Sequence, residues 1–252
     1  METSGVPIVR DPWTESGTTT VSGAYRPVGT GMACRSDFVA VLDGMVSVTN
    51  WRSRNIGHVC QIGDPILRYN AEELNPEDIK KSEIKKILKK MHDVMRSYES
   101  VGLAAPQIGV PLRIFMIEFS EKMSEKFSPD IQKSREMAII PLKVFINPKL
   151  TVVNYEKVLF PEACESVRGF SADVARYREV LVTGFLVPGL DPEGRPISWQ
   201  TSGWPARVVQ HEMDHLSGRL YTDIMVRSTF ACTCWEKVNR TGGRIYVPFS
   251  PK

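Results

Sequence analysis

Apolar residues recur at helical spacing most plainly over 83–98. There Ile84, Ile87, Leu88, Met91, Val94, Met95 and Tyr98 follow one another at intervals of three and four. That is the pattern of a helix with one apolar stripe facing a core. The lysines interleaved with it (Lys80, Lys81, Lys85, Lys86, Lys89 and Lys90) are read as its solvated face rather than as a phosphate-binding patch. Short β-rich runs follow at 113–119, 143–147, 150–154 and 180–187, with Asp191-Pro192-Glu193-Gly194 as a turn. The polar stretch 120–138 reads as a surface insertion with helical character. The residues 185–189 read as an insertion between a strand and that turn. A second helix is expected over 204–217. Thr201 or Ser202 can cap it, Pro205 suits its first turn, and Gly218 can stop it. Strands before and around one helix predict an α+β fold, with short mixed or antiparallel sheets around a central helix.

Residues 1–57 differ from the rest. They are rich in Ser, Thr and Gly, carry no sustained period, and read as a poorly ordered leader. Glu2, Asp11, Glu15, Asp37 and Asp43 offset its arginines, so its support for an organelle-targeting role is weak, since transit peptides are poor in acid. The folded catalytic domain is placed at 58–240, followed by a C-terminal tail at 241–252.

Composition narrows the function. The 252 residues are 42% hydrophobic and 24% charged with a net charge of +3, which is too mild a balance to argue for direct nucleic-acid binding. Five cysteines at irregular spacing do not suggest a disulfide framework and fit a reducing interior. No apolar run approaches the roughly 20 residues that a membrane span needs, and the longest, over 38–48, is broken by Asp43 and Gly44.

The strongest chemical signal lies inside the second predicted helix: His211-Glu212-Met213-Asp214-His215, or H-E-x-x-H. Residues four apart share a helix face, so the two imidazoles can share one metal ion. Glu212 sits about 100° around the axis from His211, beside the metal, where its carboxylate can take a proton from a metal-bound water. With only four histidines in the chain, this pairing around a glutamate is not expected by chance. Val208 lies one turn before His211 on the same face. A catalytic metal needs a third protein ligand and an open position. His58 and His92 lie far upstream; Glu162, Cys164 and Glu165 are the better candidates. Cys232 and Cys234 form a C-x-C pair with no histidine or second pair nearby, and are not read as a metal site. H-E-x-x-H alone also suits a metalloprotease that cleaves internal peptide bonds.

Three segments together resemble the motifs of the peptide deformylase family: Gly102-Leu103-Ala104-Ala105-Pro106-Gln107, Glu162-Ala163-Cys164-Glu165-Ser166 and Gln210-His211-Glu212-Met213-Asp214-His215-Leu216. The resemblance covers about 59–238. It implies that Cys164, His211 and His215 bind one divalent metal ion, Fe2+ or Zn2+, with Co2+ able to substitute. It implies that Glu212 is the general base and then the proton donor to the leaving amine. Gln107, through its side-chain amide, and the backbone N–H of Glu165 would hold the oxyanion. Backbone groups of Val101 and Gly102 would pair with the peptide as an added strand. Ala163 would lie where substrate backbone approaches, and Val208 would wall the methionine pocket. The implied substrates are N-formyl-methionyl peptides, products of bacterial-type translation, with the organellar ribosome as a partner. Ser100, Ala163 and Glu165 depart from the family's usual Gly, Gly and Leu. Glu165 resembles the animal mitochondrial branch and favours the mitochondrial matrix. Its carboxylate should oppose an anionic intermediate unless a cation pairs with it, which predicts lower activity than a Leu-bearing relative. These departures also keep open a catalytically weak relative acting as a binding protein.

Overall fold

The protein is represented by a computed structural model that describes residues 57–188 and 195–251. The expected leader therefore lies almost wholly outside the described residues, as do the 191–194 turn and Gly189. Residues 185–188, read as the start of an insertion, instead extend the preceding strand as the arm of a longer hairpin.

The apolar stripe forms α1 at Ser82–Ser97, with Ile84, Ile87, Leu88, Met91, Val94 and Met95 buried. Each of these aliphatic side chains contributes roughly 1.5–3 kcal/mol by leaving water. The chain then forms β1 (Gly102–Ala104), a 3-10 turn at Ala105–Ile108 that ends on left-handed Gly109, and β2 (Ile114–Phe119). The insertion is helical in two short pieces, α2 (Glu121–Ser124) and α3 (Pro129–Ser134), capped by the hydroxyls of Ser120 and Ser128. Next come β3 (Ile140–Ala163), β4 (Phe170–Pro188), β5 (Arg195–Ser202), α4 (Gly203–Leu216), β6 (Ala231–Cys232) and α5 (Trp235–Arg240).

The strands form one sheet in the order β1-β2-β3-β4-β5, with β6 on β4, and every strand pair is antiparallel. The runs expected at 143–147 and 150–154 belong to the single long strand β3. Between them the register shifts at 146–149, where Asn147 has φ 49° and Pro148 offers no N–H to the ladder. This sequence break looks like a strand end but is a bulge. Asn147 also ties the bulge inward, accepting from Leu74 N and donating to Leu74 O.

Both faces of β2 are covered, which explains its unbroken apolar run. Ile114 and Met116 join α1 in one core, whereas Phe115, Ile117 and Phe119 join Ala206, Val209 and Leu216 of α4 in another. The second helix thus packs against the sheet as its pattern predicts. Ser202 occupies the N-cap position without a side-chain cap bond. Gln210 anchors the helix instead, accepting from Tyr177 N at 3.0 Å and donating to Tyr177 O at 2.8 Å. Gly218 follows the helix at φ +67°, where a Cβ would meet the Arg68 carbonyl oxygen at 2.6 Å. No helix among the described residues is long and apolar enough to cross a membrane.

Candidate metal centre and active site

The long strand β3 delivers Cys164 to the site immediately after its last residue, at the start of a 3-10 turn over Glu165–Val167. α4 delivers His211 and His215 one turn apart, with ring centroids 5.0 Å from each other. Ligand atoms of Cys164, His211 and His215 all lie within 4.8 Å of one another. The Cys164 Sγ is 3.3 Å from His215 Nε2 and accepts from Ser166 N at 3.4 Å and Gln107 Nε2 at 3.5 Å. Of the three third-ligand candidates, the structure brings Cys164 to the histidines, places Glu162 behind His211, and places Glu165 at the rim.

Glu162 is the centre of a buried ionic cluster. It accepts from Arg176 Nε and Nη2, both at 2.9 Å, from Arg207 Nη1 at 2.7 Å, and from His211 Nδ1 at 3.0 Å. Arg176 also donates to Asp214 Oδ2 at 2.6 Å. Burial alone would push the Glu162 carboxyl up, but Arg176 and His211 together hold it far below the usual carboxylate range. A carboxylate accepting from one ring nitrogen fixes the imidazole and leaves its other nitrogen, Nε2, available to a metal. Sequence reading missed Arg176, Arg207 and Asp214. Signals did exist: Ala172, Val174 and Arg176 alternate inward on β4, so a charged residue in that series calls for buried partners. Arg207 lies one turn before His211.

The histidines respond to this charge in opposite directions. Burial lowers both, but Cys164 and Glu162 lift His211 well above 6.5, while His215 stays well below it. The donor set of one sulfur and two imidazoles, all within 4.8 Å of one another, fits a divalent metal.

Glu212 is 4% exposed, and burial pushes its carboxyl up to about 7. Its Oε2 has no hydrogen-bond partner among the described residues. Its side chain rests against the Gly102 backbone so closely that a Cβ there would stand 2.3 Å from Glu212 Oε1. Gln107 is held by the turn after β1, where its Oε1 accepts from Ala104 N at 2.8 Å, so its NH₂ points to Cys164 and to Ser166 Oγ at 3.2 Å.

A cavity of about 590 Å³ opens onto these groups. Val101, Gly102, Gln107, Ala163, Cys164, Glu165, Val208, His211 and Glu212 all line it. His215 is not among its lining residues and is 1% exposed. β1 is the edge of the sheet at this cavity, and Ser100 Oγ donates to Gly102 O at 2.8 Å. On the rim, the Glu165 carbonyl accepts from Gln61 Nε2 at 2.8 Å, and its carboxylate stands 3.6 Å from Arg168 Nη1. Burial raises the Glu165 carboxyl, and Arg168 only partly offsets this.

A converging thiol and two imidazoles, with a carboxyl held near neutrality beside them and amide donors around them, define a metal-dependent hydrolase. The polypeptide deformylase family profile matches residues 56–230. Similar curated proteins include the mitochondrial peptide deformylase of Homo sapiens, 43% identical over 72% of this chain and 73% of its own length. Peptide deformylase 1A, chloroplastic/mitochondrial, of Arabidopsis thaliana is 45% identical over 67% of this chain and 61% of its own. A Met-Ala-Ser-bound class I type b peptide deformylase from Acinetobacter baumannii superposes with a TM-score of 0.56 at 26% identity, covering 66% of this chain and 96% of that one. The chain belongs to the polypeptide deformylase family, whose members remove the N-formyl group from nascent peptides.

Proposed function

We propose that Cys164, His211 and His215 hold one Fe2+ or Zn2+ ion, replaceable by Co2+, and that the surrounding residues hydrolyse the formyl group of N-formyl-methionyl peptides. The observation that carries this reading is the convergence of the three donor atoms within 4.8 Å of one another, at a cavity that Cys164, His211, Glu212 and Gln107 line. When bound, the metal supplies Lewis acidity and water acidified toward neutral pH. The peptide backbone adds to the open edge of β1 through Val101 and Gly102, beside Ala163. Its methionine side chain lies against Val208. As water adds to the formyl carbon, Glu212 takes its proton, a task suited to a carboxyl poised at about 7. The Gln107 NH₂ and the Glu165 N–H hold the developing oxyanion. Glu212 then gives the proton to the leaving nitrogen, the C–N bond breaks, and formate departs. The organellar names of the human and Arabidopsis relatives support an organellar address, which we place in the mitochondrial matrix, near the ribosome that makes formylated chains.

Formate release from formyl-Met-Ala-Ser, with protein prepared anaerobically and supplied with iron or cobalt, tests the assignment. Glu212→Ala should keep one metal per chain while turnover falls by about 10²–10⁴-fold. Undiminished turnover would remove Glu212 from the mechanism. A metal-replete wild type that releases no formate would point to a binding protein.

A further inference from the structure

The C-x-C pair plays no part in the chemistry above, yet its geometry is particular. Side chains two apart on an extended strand share a face but stand about 6–7 Å apart. Cys232 is the last residue of β6, and the chain turns at Thr233 and Cys234, ahead of α5. That turn folds the second side chain back, leaving the two Sγ atoms 3.5 Å apart, in contact and partly exposed. Thr233, between them, anchors the turn to the catalytic cavity. Its N–H and hydroxyl both donate to the Gly169 carbonyl, at 2.9 and 3.2 Å. Gly169, Phe170 and Thr233 all line the cavity that holds Cys164 and Glu212. Phe170 pairs in register with Cys232, and its neighbour Ser171 pairs with Ala163.

We propose that Cys232 and Cys234 form an oxidisable dithiol on the cavity rim, closed by a small-molecule disulfide such as glutathione disulfide, and that closure weakens peptide binding. One cysteine thiolate attacks a sulfur of glutathione disulfide. That S–S bond breaks, and one glutathione leaves as thiolate and takes up a proton. The neighbouring cysteine, deprotonated in turn, attacks the protein sulfur of the mixed disulfide and releases the second glutathione. Two protein thiols are oxidised and one glutathione disulfide is reduced to two thiols. A disulfide across so short a loop is strained and exposed, which places it among the labile, reversible kind rather than the structural kind. Drawing the sulfurs from 3.5 Å to bonding distance tightens the turn at Thr233 and disturbs its hold on Gly169.

The full-length, zinc-loaded protein is treated with glutathione disulfide, its remaining thiols are alkylated, and its peptides are mapped by mass. The expected product carries a Cys232–Cys234 link, reopened by reduced glutathione. Cys232→Ser and Cys234→Ser should each retain one bound glutathione instead. Closure should raise KM for the formyl peptide about three- to ten-fold at unchanged kcat, the scale of one hydrogen bond. The rise should vanish when reduced glutathione reopens the link, and the untreated Cys232→Ser and Cys234→Ser variants should match the reduced wild type in KM. Free alkylation of both thiols after oxidation, or linkage to another cysteine, would overturn the site. A closed ring with unchanged KM would overturn its coupling to the cavity. The KM arm rests on the deformylase reading; the thiol map needs no substrate, so the two can fail separately.

Discussion

Glu162 and Glu165 are three residues apart on one segment, and each faces an arginine, yet the protein treats them in opposite ways. Glu162 on the floor meets Arg176 through two bonds of 2.9 Å, with both side chains nearly inaccessible at 5–6% exposure. Glu165 at the rim meets Arg168 at 3.6 Å, with both side chains about 30% exposed. The first carboxyl is held far below its ordinary value and the second is raised above it. Opposite charge alone does not decide the outcome. On the floor, close hydrogen-bonded contact overcomes desolvation; at the rim, the looser pair does not.

Breaking the floor should give the largest effect. Arg176→Met leaves Glu162 and Asp214 buried with part of their positive partnership gone, and should cost about 3–5 kcal/mol of stability. Arg168→Met at the rim should cost about 0–1 kcal/mol. Urea unfolding of both variants at saturating metal checks the contrast. Equal small losses would mean that the buried cluster is no better coupled than a surface pair.

Next in size is Gly102→Ala. The added methyl cannot coexist with Glu212 Oε1 at 2.3 Å, and the neighbour that yields most easily is the carboxylate itself. A displacement of that order should lower kcat by up to about 10²-fold with little change in stability. Unchanged kcat would show that the carboxylate position seen here is not the working one.

The sequence showed the candidate metal ligands better than the residues that support them. His211, Glu212 and His215 stand out because helical periodicity fixes which side chains share a face. Cys164 was one of three candidates by position and became more only through the family resemblance, since it meets α4 from the end of a distant strand. Arg176, 35 residues before His211, is paired by tertiary approach that no local pattern encodes. The single sheet was hidden for a similar reason: Asn147-Pro148 marks a bulge and a strand end alike, and only the pairing of β3 with β4 distinguishes them. The Cys232–Cys234 contact depends on a turn that C-x-C spacing does not announce.

The same comparison predicts opposite pH signatures. The folded value of Glu162 lies below the ordinary 4.5, so its stabilisation is fully present above about pH 4.5 and is lost as pH falls toward that depressed value. For Glu165 the folded value lies above 4.5, so the native state retains a proton the unfolded chain has released, and stability declines as pH rises past 4.5. Stability curves should therefore show the gap between wild type and Glu162→Gln shrinking in acid. Glu165→Gln should gain on wild type as pH rises through that window. Parallel curves for both variants would abolish the distinction between floor and rim.

The smallest effect concerns turnover at the rim. Glu165 lines the cavity beside the proposed oxyanion position, and Arg168 offsets its charge only in part. Glu165→Leu removes the carboxylate but keeps the backbone N–H, so kcat should rise roughly two- to five-fold, the scale of a half-exposed charge interaction. The gain should shrink at high salt, because exposed charges are screened. Arg168→Met, which unmasks the same carboxylate, should lower kcat by a similar factor. If both substitutions slow the reaction, the Glu165–Arg168 pair is holding the 3-10 turn in place, and its geometry matters more than its charge.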